Sequence, residues 1–381
     1  MPGKYDLPLE NPEPDIEEFK RVILRKKSPG RVHFAELLFD KRPMKYLIEN
    51  YLGRDWVVPV ADDRESTKAY LDNLIQLWYK FGYDYIRIEG DETLIGGEKM
   101  SIFPGNWKTI VDWDGSGEQR SWANETEGLI NSWKDFEQYH WPSVDEISLW
   151  PYEYLSKNLP EGMGMFVSFT QGLLENLMNA IVGYVPLYRM LYQQPDLLKS
   201  ISDRVGETIL AFYRKIIGFP GLHGFFQGDD MGFKTSTLIS PEHLRKYILP
   251  WHKKISNLAH QNNLLYFLHT CGAKEPIIED LIEDVGVDAL HSFEDQIKPV
   301  TTFCEEYGDR IGVLGGIDMD KLARLPEGEL REYVRRVLDE CNSSGGYALG
   351  SGNSVSDYIP MENYLIMLEE GMRWSDYGEI H

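Results

Sequence analysis

The chain has 381 residues, of which 42% are hydrophobic and 13% aromatic, and its formal net charge at pH 7 is −22. This charge excludes nucleic acid and anionic membrane surfaces as partners, because both require clustered Lys and Arg. No apolar run approaches the roughly 18 residues of a membrane span. The acidic, proline-rich start does not resemble a signal peptide, and three cysteines are too few for a disulfide framework. We therefore expect a soluble cytoplasmic protein.

Residues 1–30 predict an N-terminal extension that carries one short charged helix, Ile16 to Lys27. We assign residues 31–381 to a single domain. In that domain Phe34 to Tyr51 is amphipathic and predicts a helix. A strand candidate (Trp56 to Val60), a helix (Glu65 to Phe81) and a second strand (Tyr83 to Ile88) follow.

Residues 95–160 interrupt this alternation and contain six of the ten tryptophans, among glycines and prolines. The six are Trp107, Trp113, Trp122, Trp133, Trp141 and Trp150. This composition predicts an irregular insertion whose aromatic side chains pack over the body of the domain or rim a pocket.

The alternation of strands and helices then resumes and continues to the end of the chain. The remaining strand candidates are Met165 to Phe169, Leu222 to Gln227, Leu264 to Leu268, Val287 to Ser292, Arg310 to Leu314 and Gly346 to Gly350. Eight strands, most of them followed by a helical pattern, favour a parallel (β/α)8 barrel of the TIM type. An open doubly wound sheet is the alternative, although the chain lacks the glycine-rich motifs that place a nucleotide.

The apolar strand Leu264 to Leu268 leads directly into His269, Thr270, Cys271 and Gly272. Strict alternation places His269 and Cys271 on the same side of the strand end, where parallel α/β folds carry their chemistry. An imidazole and a thiolate in this arrangement suit a zinc ion. The alternative is a core histidine beside a buried free cysteine.

Polar groups follow the other predicted strands as well, and in a barrel they share one face. They are Glu89 and Asp91, Thr170 and Gln171, Gln227 with Asp229 and Asp230, His291 with Glu294 and Asp295, Asp318, and Ser351 with Asn353. Asp229 and Asp230 are adjacent, so at most one of them points into a site. Asp318 is also explained as the cap of the following helix.

The order of these motifs resembles the uroporphyrinogen decarboxylase superfamily. The segments that carry the resemblance are Arg31–Glu36, Gly228–Gly232 with Ser240-Pro-Glu, His269–Gly272, Gly308-Asp-Arg-Ile, Gly315–Asp318, Gly350-Ser-Gly-Asn and Pro360–Asn363. The resemblance covers most of the chain from about residue 31 and implies a distorted (β/α)8 barrel. The His-x-Cys motif is similar to that of the corrinoid-dependent methyltransferases, such as the methylcobamide:coenzyme M enzymes. There it supplies two ligands of a zinc ion that activates a thiol as methyl acceptor.

Two departures from the superfamily pattern affect the expected site. Those methyltransferases carry a third ligand, a cysteine, after the glycine of a late strand, and Ser351 occupies that position here. We expect Glu294 to complete a zinc site with His269 and Cys271, and next Asp229 or Asp230. The decarboxylase's arginine-rich N-terminal motif is reduced to Arg31, which argues against porphyrinogen decarboxylation.

The sequence therefore predicts a methyltransferase that moves a methyl group between a small methylated compound or thiol and a corrinoid protein, assisted by a metal. The corrinoid would come on a partner, because the chain has no corrinoid-binding signature. The expected acid–base residues are Asp229, Asp230 and His291, and the expected substrate contacts are Glu89, Gln227, Asp318 and Asn353. A lyase that acts on a small carboxylate without metal and a non-catalytic ligand-binding barrel are the alternatives.

Overall fold

The structure is a computed structural model that describes residues 4–61, 63–89, 103, 107–110, 120–123, 126–342 and 345–377. Seven strands form one parallel sheet in the order β1-β4-β5-β6-β7-β8-β9, and β2 pairs with β3 in a separate antiparallel sheet. The strands are β1 (Tyr85–Glu89), β2 (Trp107–Ile110), β3 (Arg120–Ala123), β4 (Gly164–Ser168), β5 (Leu222–Gly228), β6 (Leu265–His269), β7 (Ala289–His291), β8 (Gly312–Leu314) and β9 (Tyr347–Ala348). The large sheet curls, as in a TIM-like barrel, so the predicted α/β class is confirmed.

Helices connect the parallel strands and cover the sheet. They are α1 (Ile16–Ile23), α2 (Lys41–Asn50), α3 (Arg64–Lys80), α4 (Trp133–Gln138), α5 (Trp150–Asn158), α6 (Leu173–Glu175), α7 (Tyr184–Gln193), α8 (Pro195–Ile216), α9 (Pro241–Tyr247), α10 (Leu249–Gln261), α11 (Val300–Tyr307), α12 (Met319–Arg324), α13 (Glu327–Cys341) and α14 (Met361–Tyr377). Short 3₁₀ turns occur at Val144–Glu146 and Glu275–Ile277, and π-helical turns at Asn176–Ile181 and Asp280–Val285. None of the helices in the described ranges combines the length and the apolar character needed to cross a bilayer.

Seven of the eight predicted strands form the parallel sheet, but Trp56 to Val60 does not. Val58 and Val60 are 54% and 57% exposed, and Pro59 between them has no N–H to donate to a sheet. The position beyond β9 is taken by residues near Phe34, which forms a parallel bridge with Leu349. The predicted helix from Phe34 was therefore wrong at its start, because this segment is extended and the helix begins only at Lys41.

Aromatic side chains fill the interior of the sheet. Phe166 on β4 stacks on Phe267 on β6, with ring centroids 4.6 Å apart. Phe19 of α1 packs edge-on against both rings at 6.3 and 6.2 Å. A helix of the predicted N-terminal extension thus contributes to the main core.

The register of the parallel strands brings two predicted site residues side by side. His269 at the end of β6 pairs with His291 at the end of β7, and Gly228 of β5 pairs with His269 from the other side. The carboxyl ends of β5, β6 and β7 therefore meet at one place on the sheet.

Only part of the tryptophan-rich segment lies within the described residues. Trp133 is 47% exposed, whereas Trp141 and Trp150 are partly buried against the core. The side chains of Trp107, Trp113 and Trp122 lie outside the described part, as does Asp91. The expectation that this segment rims a pocket stays a prediction.

Candidate metal centre

Three side chains of different chemistry converge at the ends of β5 and β6. Within the described part of the chain, ligand atoms of Asp230, His269 and Cys271 all lie within 4.8 Å of one another. His269 Nε2 is 3.4 Å from Cys271 Sγ and 3.5 Å from the Asp230 carboxylate. The Cys271 amide donates a hydrogen bond to Asp230 Oδ1 at 2.8 Å, which ties the two loops together. An imidazole, a thiol and a carboxylate at this spacing suit a transition-metal ion.

Two glycines allow the loops after β5 and β6 to cross closely enough for this arrangement. Gly232 donates its backbone N–H to the Cys271 carbonyl, and Ala273 donates to the Phe233 carbonyl. A Cβ on Gly272, whose φ is +80°, would lie 2.3 Å from the backbone of Gly232. Backbone contact at this distance leaves no room for a side chain, so the crossing depends on glycine.

A second histidine orients His269. His269 Nδ1 lies 2.7 Å from His291 Nδ1, and His291 Nε2 lies 3.2 Å from the Ser351 carbonyl. Because the carbonyl only accepts, His291 carries its hydrogen on Nε2, and its Nδ1 accepts from His269 Nδ1. His269 Nε2 is then left with a lone pair directed towards Cys271 and Asp230, which is the tautomer that binds a metal.

Both imidazoles are neutral. Burial, with the nearby positive charges of Arg87 and Lys274, lowers the pKa of His269 to about 3. Burial and the adjacent His269 lower the pKa of His291 well below its ordinary value. Neutral imidazole is the form that ligates metals.

The sulfur of Cys271 is held by neutral donors. Asn353 Nδ2 lies 3.4 Å from Sγ, and the Ser292 hydroxyl lies 3.8 Å from it. Burial and the Asp230 carboxylate raise the pKa of the Cys271 thiol. A bound cation would lower the pKa of this thiol and so oppose both effects, since coordinated thiols lose their proton.

More than half of the chain matches a known protein family. Residues 160–374 match the family model described as uroporphyrinogen decarboxylase (URO-D). The chain belongs to the uroporphyrinogen decarboxylase family. The sequence motifs had indicated this family, and that prediction is confirmed.

Curated relatives of this family member include enzymes of two kinds. A methylated-thiol–coenzyme M methyltransferase of Methanosarcina mazei is 28% identical over 183 residues, which are 48% of this chain and 46% of the relative. A uroporphyrinogen decarboxylase of Geobacter sulfurreducens is 26% identical over 184 residues, 48% of this chain and 50% of the relative. The chain thus spans about half the length of the curated relatives it matches.

A solved structure agrees with the fold over nearly the whole chain. A methyltransferase from Methanosarcina mazei superimposes with a TM-score of 0.65 at 13% sequence identity, covering 96% of this chain and 100% of that one. At this identity the likeness supports the TIM-like fold of this uroporphyrinogen decarboxylase family member and no more.

Of the residues expected to bind metal, Glu294 is not in the converging group. It lines a neighbouring cleft together with Lys274, Ser292 and Lys298. Asp230, which the sequence ranked after Glu294, lies in the group. Ser351, at the position of the family methyltransferases' third ligand, is also outside the group, because its hydroxyl contacts Glu36 and the Asn353 carbonyl.

The polar side chains of three predicted site residues form hydrogen bonds with other parts of the protein. The buried Asp229 carboxylate accepts from the amides of Leu174 and Glu175 and from His252. Gln227 accepts from the Tyr213 hydroxyl and donates to two backbone carbonyls. Asp318 caps α12, as the alternative reading of the sequence proposed, and also accepts from the Asp295 amide.

Glu89 lies at the end of β1, where its carboxylate pairs with Arg87 at 2.9 Å. Sequence reasoning passed over Arg87, although a charged residue in a buried strand is a signal of an internal partner. It also passed over Glu175, whose pKa is raised well above its ordinary value by burial and by the carboxylates of Asp230, Asp229 and Glu89. Glu175 follows β4 on the same face of the sheet.

Proposed function

We propose that this protein transfers a methyl group between a small methylated compound or thiol and a corrinoid protein, with a zinc ion held by Asp230, His269 and Cys271. The observation that carries the proposal is the convergence of these three ligand atoms within 4.8 Å at the strand ends. Zinc takes all three ligand types, and catalytic zinc sites commonly have three protein ligands and one open position. Zinc in this position would supply a Lewis acid for the thiolate or ether oxygen of the substrate.

The methylated-thiol–coenzyme M methyltransferase among the relatives supports this reading over other chemistries of the family. The shared stretch covers less than half of each chain, so methyl donor, acceptor and corrinoid partner are part of the proposal.

The residues around the site divide into a buried side and an open side. His269 and its partner His291 are buried, whereas the Asp230 side chain is 37% exposed. We infer that the substrate approaches from the side of Asp230, with Glu89 and Asn353 along its path. His291 then acts as a positioning residue that fixes the His269 tautomer, and not as an acid or base.

Glu175 is suited to move a proton at this site. Burial and the carboxylates of Asp230, Asp229 and Glu89 raise its pKa well above the ordinary value, which favours the protonated carboxyl group. A proton held there is available to a leaving alkoxide or thiolate of the methyl donor.

A decarboxylase-like lyase is the second candidate, because the Geobacter sulfurreducens relative is a uroporphyrinogen decarboxylase of similar identity. In that reading a small carboxylate substrate reacts without metal, and Asp or His groups transfer the protons. The candidates differ in their need for metal and corrinoid.

The test of the proposed function mixes the zinc-loaded protein with a corrinoid protein in the reduced Co(I) state and with methylated thiols or methoxylated compounds. We expect methyl–cobalt formation, visible in the corrinoid spectrum, and no turnover without the corrinoid protein. His269→Ala should lower the rate by about 100-fold or more, since even a residue supporting a ligand accounts for about 10–100-fold. Release of carbon dioxide from a carboxylate without corrinoid, at a rate unchanged in His269→Ala, would establish the lyase instead.

A further inference from the structure

Glu36 carries a buried carboxyl group that is not one of the three proposed metal ligands. Glu36 is fully buried, and its Oε1 accepts the Ser351 amide at 2.9 Å. Its Oε2 lies 2.5 Å from the Ser351 hydroxyl, and that same hydroxyl lies 2.6 Å from the Asn353 carbonyl. One hydroxyl oxygen is therefore in hydrogen-bond contact with two other oxygens.

The number of hydrogens in this arrangement defines the charge of Glu36. The Ser351 hydroxyl has one hydrogen, and the Asn353 carbonyl has none to offer. If Glu36 were ionised, one of the two short contacts would join two oxygens without a hydrogen between them. If Glu36 carries the proton on Oε2, it donates to Ser351, Ser351 donates to Asn353, and both contacts are hydrogen bonds.

Ser351 connects this carboxyl group to two ligands of the proposed metal site, His269 and Cys271. Its carbonyl accepts from His291, which in turn orients His269. Two residues further on, the Asn353 side chain donates to the sulfur of Cys271. The loop 351–353 thus supports the imidazole ligand on one side and the thiolate ligand on the other.

We propose that Glu36 is a neutral carboxylic acid that acts as a positioning residue: through Ser351 it fixes the partners of both His269 and Cys271. Its relevance to catalysis rests on the proposed metal site, whereas its protonation state and its effect on the two histidines do not.

The surroundings of Glu36 agree with a neutral carboxyl group. The titratable groups that face it are hydroxyls: Tyr83 just before β1, Tyr85 on β1, Tyr347 on β9 and Tyr364 on α14, each with a pKa raised by burial. The nearby Arg87 donates to the Leu37 carbonyl and pairs with Glu89. No Lys, Arg or His of the described ranges forms an ion pair with Glu36. Burial raises the pKa of Glu36 to about 8, although the two hydrogen bonds that Ser351 would donate to the ionised form act in the opposite direction.

Glutamine reproduces the protonated form, because its amide accepts from the Ser351 amide and donates to the Ser351 hydroxyl. Methionine has a similar length but makes neither bond. Glu36→Gln should therefore keep the loop 351–353 in its position, and Glu36→Met should allow this loop to move. Glu370→Gln is the matched control, since the buried Glu370 carboxylate forms ion pairs with Arg331 and Arg335.

Infrared spectra and histidine ¹⁵N NMR spectra of the metal-free protein test the proposal. The wild-type minus Glu36→Gln difference spectrum at neutral pH should contain a carboxylic-acid C=O band, which the wild-type minus Glu370→Gln difference lacks and which is lost as pH rises through about 8. The His269 and His291 ring signals should show single, fixed tautomers in wild type and Glu36→Gln, and averaging or shifts in Glu36→Met. Above pH 8 the wild-type signals should change towards those of Glu36→Met, while those of Glu36→Gln stay constant.

Two results would overturn the proposal: absence of the carboxylic-acid band from the wild-type minus Glu36→Gln difference spectrum, or histidine signals in Glu36→Met identical to those of wild type. Zinc titrations separate this outcome from failure of the proposed function. If the proposal and the zinc site are both right, Glu36→Met should weaken zinc binding by about tenfold, as loss of a group supporting a ligand does, and Glu36→Gln should not. Absence of zinc binding in wild type would remove the metal centre and leave the infrared and NMR results to decide on Glu36.

Discussion

At the scale of single residues, the adjacent Asp229 and Asp230 show how tertiary contacts assign roles. Asp229 turns into the protein, where it accepts from His252 and from two amides at the start of α6. Asp230 turns the opposite way, towards His269 and Cys271. The alternation of the chain requires that they diverge, but only the position of α6 and α10 decides which of them faces inwards.

Asp230 and Glu294 provide a direct test of the metal site. Asp230→Asn should weaken zinc binding by about 10- to 100-fold, because a neutral amide is a poor zinc ligand. The fold should persist, since the asparagine oxygen still accepts from the Cys271 amide. Glu294→Gln is the control and should leave the affinity within about twofold, which competition with a chromophoric chelator measures. Weaker zinc binding in Glu294→Gln, together with unchanged affinity in Asp230→Asn, would show that Glu294 is the third ligand and that Asp230 is not.

At the scale of elements, the site depends on the crossing of the loops after β5 and β6. The crossing is close because Gly232 lies against the backbone of Cys271 and Ala273, and Gly272 lies against the backbone of Gly232 and Phe233. The sequence contains both glycines within motifs, but it does not reveal that two loops separated by forty residues meet there. That contact follows from the pairing of β5 with β6 in parallel register.

Gly272→Ala should separate the two loops. The new Cβ would meet backbone atoms at 2.3 Å, and the φ of +80° is unfavourable for alanine. We expect a loss of about 3 kcal/mol in the free energy of unfolding, measured by urea denaturation, together with weaker zinc binding. Gly228→Ala serves as the control, because a Cβ there meets nothing within 4 Å. Equal stability of the two variants would show that the crossing tolerates a side chain.

At the scale of the whole molecule, the protonation of Glu36 couples folding to pH. Its pKa in the folded protein is about 8, raised from the ordinary value of 4.5, so the folded state retains a proton that the unfolded chain releases. The stability that the neutral carboxyl contributes is complete below pH 4.5 and is lost as pH rises through about 8.

Residue 36 does not titrate in Glu36→Gln. The free energy of unfolding of this variant should therefore increase relative to that of wild type as pH rises. Between pH 4.5 and 8, the free energy of unfolding of the variant minus that of wild type should grow by up to about 1.4 kcal/mol per pH unit. Above pH 8 the difference should level off. Urea denaturation of both proteins at several pH values measures it, and a difference independent of pH would mean that Glu36 is ionised in the folded state.

The sequence alone determined the alternation of strands and helices, seven of the eight strands, the family and the His-x-Cys motif. Each of these rests on local information: continuous apolar runs, helix caps, and residue spacing within one segment. The extended segment at Phe34 escaped notice because a segment held only by isolated bridges, from Phe34 to Leu349 and from Phe39 to Val355, has little local pattern of its own.

Tertiary structure decided that the Asp230 carboxylate lies beside His269 and Cys271, that His291 contacts His269, and that Glu36 contacts Ser351 315 positions away. These depend on strand register and on which loops cross, and both are properties of pairs of distant segments. A side chain's charge state in such a place is set by the neighbours that exclude water from it, and those neighbours are not adjacent in the chain.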